Sequence, residues 1–191
     1  MSRRLSDYLR ALARQRTDQL VVVTMQAAAY WPRFAGSDLD FKLIGCMGVA
    51  SPIGLGLALA QPQRRVIVCE GDGSLLMNLG VLATIGAQAP ENLLVLLMDN
   101  GAYATTGGQP LPGAGKLDLL AVAKGAGISR TYSFSDSSHF AGQLDRLLGS
   151  VGPIFARLDC SELEPFIAVP PEPTAAQVAV RVRNALLGKS G

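Results

Sequence analysis

The sequence predicts an α/β fold, a single doubly wound domain over residues 1–191 with a mainly parallel sheet and helices on both faces. Short apolar runs alternate with longer stretches of helical character along the chain. The runs show almost no polar alternation, which is typical of strands covered by helices on both faces. In addition, 49% of the 191 residues are hydrophobic, which is enough for one sizeable core.

The predicted elements follow one another in β-α-β order. Strands are expected at LVVVT (20–24), VIVC (66–69), LLVLLM (93–98) and IFARL (154–158), with a weaker strand near 128–132. Helices are expected over residues 51–60, 75–88, 117–125 and 138–148. Near the start, Leu5, Leu9 and Leu12 fall on one helical face. Residues 170–191 are expected to form a proline-rich linker and a packing helix with Thr174 as its N-cap.

Composition argues against several classes of partner. The 17 basic and 15 acidic residues are mixed along the chain, and no basic tract with interleaved aromatics suggests nucleic acid. No apolar run reaches the roughly 20 residues that span a bilayer, so no membrane association is expected. The three cysteines show neither CxxC nor Cys/His ligand spacing, which favours a reducing compartment and a cytoplasmic location.

The stretch EGDGSLLMNLG (70–80) is the strongest candidate for a functional site. It places Asp72 between two glycines directly after an apolar strand, where open parallel sheets bind ligands. The glycines permit close approach of the backbone, and the free N–H groups of a helix beginning at Ser74 favour a diphosphate. A carboxylate repels phosphate oxygens unless a cation lies between them, so the stretch predicts Mg²⁺. A solvated tight turn is the alternative.

A second metal ligand is expected at the end of the neighbouring strand. LLVLLM ends in DNGAY, and the 26 residues from 74 to 99 separate Gly73 from Asn100. That length suits the helix and strand of a right-handed crossover, which would bring Asn100 beside Asp72. The Asn100 side-chain oxygen and a backbone carbonyl in the following loop would then complete the metal site.

These residues form one pattern: GDG, then 26 further residues, then Asn with Tyr three positions later. The pattern resembles the diphosphate-binding motif of thiamine-diphosphate-dependent enzymes. The resemblance implies thiamine diphosphate and Mg²⁺ as cofactors. It implies that Asp72, the Asn100 side chain and the Ala102 carbonyl hold the metal. By the same match, Gly73 and Ser74 would contact the diphosphate.

The upstream segment IGCMGVASPIGLGLALA (44–60) extends the resemblance. Met47 stands where the family has a bulky apolar residue that wedges between the two cofactor rings and keeps the cofactor bent. The match implies that the Gly45 carbonyl accepts a hydrogen bond from the 4′-amino group and that the Met47 N–H reaches the pyrimidine ring. In isolation, a methionine in such a segment would more often be a core residue.

The resemblance also implies a partner. In this family a glutamate from a separate pyrimidine-binding domain activates the cofactor, and the 191 residues are expected to leave no room for that domain. A pyrimidine-binding alpha subunit would then supply the glutamate in a hetero-oligomer. No catalytic residue is assigned with certainty in this chain.

Within the family, the segments IGCMGVASPIGLGLALA, GDGSLLMNLGVLATIG, PENLLVLLMDN and TTGGQP are most similar to the sulfopyruvate decarboxylase beta subunits and the phosphonopyruvate decarboxylases. This implies that a small anionic 2-oxo acid, sulfopyruvate or phosphonopyruvate, is decarboxylated to CO₂ and an aldehyde. Gly107, Gly108 and Gln109 would form a flexible wall over this substrate, or else a simple glycine-rich turn. MQAAAYWPRF (25–34) has no match in the resemblance.

Two other functions stay open at this point. One is a subunit of a thiamine-dependent carboligase or 2-oxo acid oxidoreductase, which would share the cofactor site. The oxidoreductases normally carry iron–sulfur clusters, and no cluster-type cysteine spacing occurs in this sequence. The other is a non-catalytic, cofactor-binding regulatory subunit.

Overall fold

The fold is built on a six-stranded parallel sheet, seen in a computed structural model that describes residues 2–167 and 173–189. The strands of the described residues are β1 (Leu20–Thr24), β2 (Asp40–Leu43), β3 (Val66–Gly71), β4 (Leu93–Asp99), β5 (Ala102–Tyr103), β6 (Gln109–Pro110), β7 (Arg130–Phe134) and β8 (Ile154–Asp159). β5 and β6 form a separate antiparallel hairpin. The other six strands are all parallel, in the order β2-β1-β3-β4-β8-β7.

The direction in which strands are added changes at β1. The chain passes from β1 to β2 on one side and then returns to place β3 and β4 on the other side. Doubly wound folds bind ligands at such a switch, outside the carboxyl ends of the strands. The register sets Val23 of β1 opposite Cys69 of β3, and Gly71 of β3 opposite Met98 of β4. The ends of β1, β3 and β4 therefore lie side by side.

Helices cover both faces of the sheet, as the apolar runs predict. They are α1 (Leu5–Gln15), α2 (Met25–Tyr30), α3 (Ala50–Ala60), α4 (Asp72–Leu76), α5 (Val81–Gln88), α6 (Leu119–Gly125), α7 (Ser137–Gly149) and α8 (Ala175–Leu186). Helices α1, α2 and α7 pack on one face, and α3, α5, α6 and α8 pack on the other. Along β1, Val21 and Val23 join the first core while Leu20 and Val22 join the second, because successive strand side chains point to opposite faces. Among the described residues, no helix is both long and apolar enough to cross a bilayer.

Side-chain caps fix where three of these helices begin. Asp118 caps α6 and Asp136 caps α7, each through a carboxylate that accepts two backbone N–H bonds. Thr174 and Gln177 form a capping box at the start of α8, which confirms the predicted N-cap. Buried valines of α8 join the second core. The predicted linker falls largely on residues 168–172, which lie outside the described residues.

Two predicted elements differ in their boundaries. The single helix expected over residues 75–88 is instead two helices, α4 and α5, separated by a turn at 77–80. Asn78 is a weak helix former, and its side-chain amide donates to the Gly48 carbonyl, which favours the turn. The weak strand expected near 128–132 lies two residues later, as β7.

The strand β2, the short hairpin strands β5 and β6, and the helix α2 are absent from the sequence-based prediction. The unmatched segment 25–34 forms α2 and then a 3₁₀ helix at Trp31–Arg33. β2 was missed because its four residues, DFKL, include two charged side chains. Asp40 is nevertheless buried, since Arg16 Nη1 lies 2.5 Å from its Oδ1 and the Trp31 indole N–H donates to its Oδ2 at 2.9 Å. This ion pair allows an acidic residue to begin an edge strand.

Candidate functional site

Three neighbouring strand ends meet at the candidate site. Thr24 ends β1, Asp72 directly follows β3, and Asn100 directly follows β4. Because β3 pairs with both β1 and β4, these residues come together and line one cavity at the carboxyl edge of the sheet. The structure therefore brings together Asp72 and Asn100, which the crossover argument placed side by side.

Asp72 joins the loops that follow β3 and β4 through hydrogen bonds from their backbone N–H groups. Its Oδ1 accepts from the Gly73 N–H at 2.8 Å, and its Oδ2 accepts from the N–H groups of Asn100 at 2.9 Å and Gly101 at 2.6 Å. The side chain is buried, and Asp72 is itself the first residue of α4, two positions before the expected start at Ser74. The carboxylate is thus held rigidly between the ends of β3 and β4.

Asp72 is buried beside a second carboxylate. Burial, and then the neighbouring Asp99 carboxylate at the end of β4, raises the pKa of Asp72 above its usual range. Asp99 is in turn paired with Arg157 of β8. Within residues 2–167 and 173–189, no group of three His, Cys, Asp or Glu side chains is arranged to hold a metal. A cation at Asp72 would therefore need amide or carbonyl oxygens as further ligands.

Asn100 and Ala102 provide such oxygens. Asn100 Oδ1 accepts from the Ala102 N–H at 3.0 Å, which closes a tight loop between β4 and β5. An amide oxygen has a second lone pair, so this bond leaves Asn100 able to bind a cation. A carboxylate, an amide oxygen and a carbonyl oxygen are hard donors of the kind that Mg²⁺ prefers.

Gly73 and Ser74 follow Asp72 in the first turn of α4. A Cβ on Gly73 would lie 2.7 Å from Tyr103 Cε1, so packing against β5 requires glycine at this position. The Ser74 hydroxyl donates to Glu70 Oε1 and accepts from the Gly48 N–H. Because its hydroxyl is engaged on both sides, the backbone N–H is the group of Ser74 that remains for an anion.

Met47 and Gly45 lie on the loop between β2 and α3. Met47 is half-buried and lines the cavity that also contains Asp72. Gly45 is exposed, has φ +79°, and is not among the residues that line the cavity. The structure therefore brings Met47 into the site and leaves Gly45 at its margin.

Gly107, Gly108 and Gln109 lie at the turn of the β5–β6 hairpin and are exposed. The Gln109 side chain donates to the Thr106 carbonyl at 3.2 Å, within the same turn. None of the three lines the cavity. The structure places them on the loop that leaves the cavity wall at Thr105, but not in contact with Asp72 or Met47.

The end of β1 contributes cavity residues that sequence reasoning missed. Thr24 is 1% exposed, and its Oγ1 is a buried oxygen without a hydrogen-bond partner. Met25 has φ +50°, an uncommon backbone conformation for a residue other than glycine. Both line the cavity. A polar residue that ends an otherwise apolar strand, as Thr24 ends LVVVT, is the only signal the sequence offers for this position.

No glutamate lines the cavity in the described part of the chain. Glu70 is buried behind it, with both carboxylate oxygens bonded to serines. The Glu164 carboxylate accepts from the backbone N–H and hydroxyl of Ser6, and its backbone carbonyl accepts from Gln26, which does line the cavity. Glu172 lies outside the described residues.

Comparison with solved structures identifies the same fold in other proteins. A 4-hydroxybenzoylformate decarboxylase from Rhodococcus jostii RHA1, described as thiamine diphosphate-dependent, matches with TM-score 0.67 and 20% identity, over 80% of this chain and 32% of that one. A putative thiamin diphosphate-dependent enzyme from Mycobacterium smegmatis matches with TM-score 0.67 and 22% identity, over 81% and 31%. At this level of identity, the similarity shows the fold alone.

Sequence comparison gives closer relatives. The chain is 48% identical over 122 residues to a sulfopyruvate decarboxylase subunit beta of Methanothermobacter thermautotrophicus, covering 64% of this chain and 62% of that one. It is 40% identical over 146 residues to a phosphonopyruvate decarboxylase of Streptomyces viridochromogenes, covering 76% and 36%. The chain therefore spans less than two thirds of the length of either relative.

Family membership follows from a match to a family model. Residues 21–157 fit the model of the thiamine pyrophosphate enzyme, C-terminal TPP binding domain, where thiamine pyrophosphate is the other name of thiamine diphosphate. The matched range covers more than half of the chain and includes the ends of β1, β3 and β4. The protein belongs to the thiamine pyrophosphate enzyme family, through its C-terminal TPP binding domain.

Proposed function

We propose that this chain is the diphosphate-binding subunit of a split thiamine-diphosphate-dependent decarboxylase that acts on sulfopyruvate or phosphonopyruvate. The observation that carries the proposal is the cavity in which Asp72, Asn100 and Met47 meet without any glutamate among its described lining residues. Such a site has the parts for holding a cofactor but not the acid that activates it. The names of the relatives supply the substrate class.

Asp72, the Asn100 amide oxygen and the Ala102 carbonyl would hold Mg²⁺. The fit rests on a buried carboxylate beside a second acid, whose repulsion a cation would relieve, and on Asp72 Oδ1, which accepts one hydrogen bond and keeps a lone pair for a metal. The backbone N–H groups of Gly73 and Ser74 would then donate to diphosphate oxygens. Thr24 would add its hydroxyl, which has no partner in the free protein.

Met47 would support the rings of the cofactor. Its side chain is half-buried on the cavity wall, and Gly45 precedes it by two residues on the same loop. The Gly45 carbonyl and the Met47 N–H would orient the pyrimidine ring. Because the two glycines at 45 and 48 both have positive φ, the loop makes sharp turns on either side of Met47.

Bound thiamine diphosphate supplies a nucleophilic carbon and an electron sink for loss of CO₂ from a 2-oxo acid. This chain's own residues would bind and orient the cofactor tail and keep water from the buried Asp72. Gly107, Gly108 and Gln109 would close over the substrate from the β5–β6 hairpin, whose turn contains two glycines with positive φ. The activating glutamate would come from a pyrimidine-binding partner subunit.

The two other functions share this cofactor site. A carboligase or 2-oxo acid oxidoreductase subunit would bind thiamine diphosphate in the same way, but the relatives at 40–48% identity carry decarboxylase names. A regulatory subunit without activity would need no intact metal ligands, whereas Asp72 and Asn100 are both present and adjacent. Decarboxylation is thus the function we favour.

A reconstitution assay tests the proposal. The chain is mixed with a candidate partner that carries a strand-flanked glutamate, and CO₂ release from sulfopyruvate or phosphonopyruvate is measured with Mg²⁺ and thiamine diphosphate. We expect release only when both chains and both cofactors are present. Pyruvate, which lacks the second anionic group, is the matched control substrate and should react poorly. Undiminished release with Asp72→Ala in place of the wild type would contradict the metal assignment.

A further inference from the structure

A network of polar groups connects the loop that carries Met47 with the turn that carries Asp72. At its centre, Gly48 is held through both of its backbone polar groups. Its N–H donates to Ser74 Oγ at 2.9 Å, and its carbonyl accepts from Asn78 Nδ2 at 2.9 Å. Because Gly48 directly follows Met47, these bonds fix the backbone next to a side chain that lines the cavity.

Glu70 anchors this network from inside the protein. It is 1% exposed; one carboxylate oxygen accepts from Ser74 Oγ at 2.8 Å, and the other accepts from the Ser51 N–H at 3.1 Å and from the Ser51 hydroxyl. An ionised carboxylate only accepts hydrogen bonds, so Ser74 must give its proton to Glu70 and turn a lone pair to the Gly48 N–H. Glu70 therefore orients the Ser74 hydroxyl so that a lone pair faces the Gly48 N–H.

Close packing reinforces these hydrogen bonds. A Cβ on Gly48 would lie 3.2 Å from the Cβ of Asn78 and 3.4 Å from the Cβ of Met77, so the loop lies directly against the turn that follows α4. Gly48 also has φ +74°, which side chains rarely allow. The loop and the turn thus pack directly against each other, although 23 residues (49–71) separate Gly48 from Asp72.

We propose that Glu70, Ser74 and Asn78 form a positioning network that keeps Met47 at a fixed spacing from the Asp72 turn. This inference rests on the proposed function and deepens it, because it assigns how the ring end and the diphosphate end of the cofactor site are held together. Neither Glu70 nor Asn78 lines the cavity: Asn78 bonds Gly48 directly, and Glu70 acts on Gly48 through the Ser74 hydroxyl. Removing the network should affect binding of the rings and leave binding of the diphosphate unchanged.

The variant Asn78→Ala separates the effect on binding of the rings from the effect on binding of the diphosphate. Asn78 is exposed, so the variant should fold. Calorimetric titrations compare Mg²⁺–thiamine diphosphate with Mg²⁺–inorganic diphosphate, which lacks the rings. We expect the affinity for thiamine diphosphate to fall about fivefold, the usual net effect of one hydrogen bond, with no change for inorganic diphosphate. Met47→Ala, which changes the ring contact itself, should give the same pattern.

Two further variants complete the test. Glu70→Gln should reproduce the selective loss, because an amide cannot accept from both serines as the carboxylate does. Asn92→Ala is the matched control, since Asn92 Nδ2 donates to three backbone carbonyls in the last turn of α3 and the loop after it and does not line the cavity. It should lower the melting temperature and leave both affinities unchanged.

The outcomes distinguish this inference from the proposed function. If Asn78→Ala and Glu70→Gln weaken both ligands equally, or weaken neither, the positioning network is overturned while the cofactor site stands. If the wild-type chain binds neither magnesium complex at millimolar concentration even with its partner subunit present, the proposed function fails and the positioning role fails with it.

Discussion

At the scale of single residues, Asp72 is the proposed carboxylate ligand of the cation. Its buried carboxylate already spans the loops after β3 and β4 through three backbone N–H bonds. Asp72→Asn preserves the size of the side chain and removes its negative charge. We expect Mg²⁺-dependent binding of thiamine diphosphate to weaken on the order of a hundredfold, as for loss of a charged bond. Calorimetry with and without Mg²⁺ measures this change.

Asp136→Asn is the control for that substitution. Asp136 is also buried, but it caps α7 and does not line the cavity. Its replacement should cost about 1 kcal/mol of folding stability at most and leave cofactor affinity unchanged. Similar losses of affinity in the two variants would mean that Asp72 acts only by holding the fold.

Thr24 offers a prediction in which stability and binding change in opposite directions. Its hydroxyl is buried without a partner, and such a group destabilises a folded protein by about 1–3 kcal/mol. Thr24→Val has nearly the same shape and removes the hydroxyl, so it should raise the free energy of unfolding by about 1 kcal/mol. It should also weaken Mg²⁺–diphosphate binding, because one donor is lost.

Urea denaturation and calorimetric titration with inorganic diphosphate check the two effects. Thr24→Ser keeps the hydroxyl and should retain the affinity while losing some packing. If Thr24→Val leaves the affinity unchanged, Thr24 is a core residue and takes no part in the site.

At the scale of elements, the packing of α3 on β3 positions the loop that carries Met47. Gly54 of α3 is buried, and a Cβ there would lie 2.1 Å from Val68 Cγ2 of β3. Gly54→Ala should therefore lower the free energy of unfolding by about 1–3 kcal/mol, since the helix must move outward. Gly56, two residues later, is exposed and has no atom within 4 Å of such a Cβ. Gly56→Ala should instead stabilise the helix by about 1 kcal/mol.

Urea unfolding of both alanine variants gives the comparison directly. The two substitutions are chemically identical and lie in one helix. If they change the free energy of unfolding in opposite directions, the difference is due to the packing of residue 54 against Val68. Equal effects would show that α3 can shift on the sheet without cost.

The inner strands were predictable from the sequence, and the edge strand was not. β1, β3, β4 and β8 are continuous apolar runs because both of their faces are covered, and each was predicted within two residues. β2 is short and charged, and its burial depends on Arg16 and Trp31, which pair with Asp40 from distant positions. Such tertiary contacts leave no local pattern in the sequence. For the same reason, the break between α4 and α5 follows from the contact of Asn78 with Gly48.

In the candidate site, too, the residues within a local sequence pattern were predicted, and a residue that depends on tertiary contacts was not. Asp72 and Asn100 were found because each follows an apolar strand within a distinctive motif, and the structure places them in hydrogen-bond contact. Thr24 was missed because nothing in LVVVT marks its hydroxyl as unpaired. Gly107, Gly108 and Gln109 are exposed on a hairpin, and their role in substrate binding stays a prediction.

At the scale of the whole molecule, the chain is expected to need a second subunit for catalysis. The described residues that line the cavity include no glutamate. Alone, the chain should therefore bind Mg²⁺–thiamine diphosphate weakly and release no CO₂. With the pyrimidine-binding partner, ligand at a hundred times its dissociation constant should add about 2.7 kcal/mol of stability.

Thermal unfolding measures how cofactor binding changes stability. The chain, the partner and their mixture are each unfolded with and without the cofactors. The melting temperature of the mixture should rise with cofactor concentration, and that of the isolated chain should change little. Decarboxylation by the isolated chain would refute the requirement for a partner.

The position of β2 at the edge of the sheet gives the two ends of the site different resistance to opening. Thr24 ends a strand with neighbours on both sides, and Asp72 and Asn100 directly follow two other such strands. The loop of Met47 instead follows β2, which pairs only with β1. Edge strands open locally at lower free energy than inner ones. A departing cofactor would therefore lose its hold at the rings first, with its tail still attached. Release would be stepwise, and rebinding would begin from a molecule already anchored by its diphosphate.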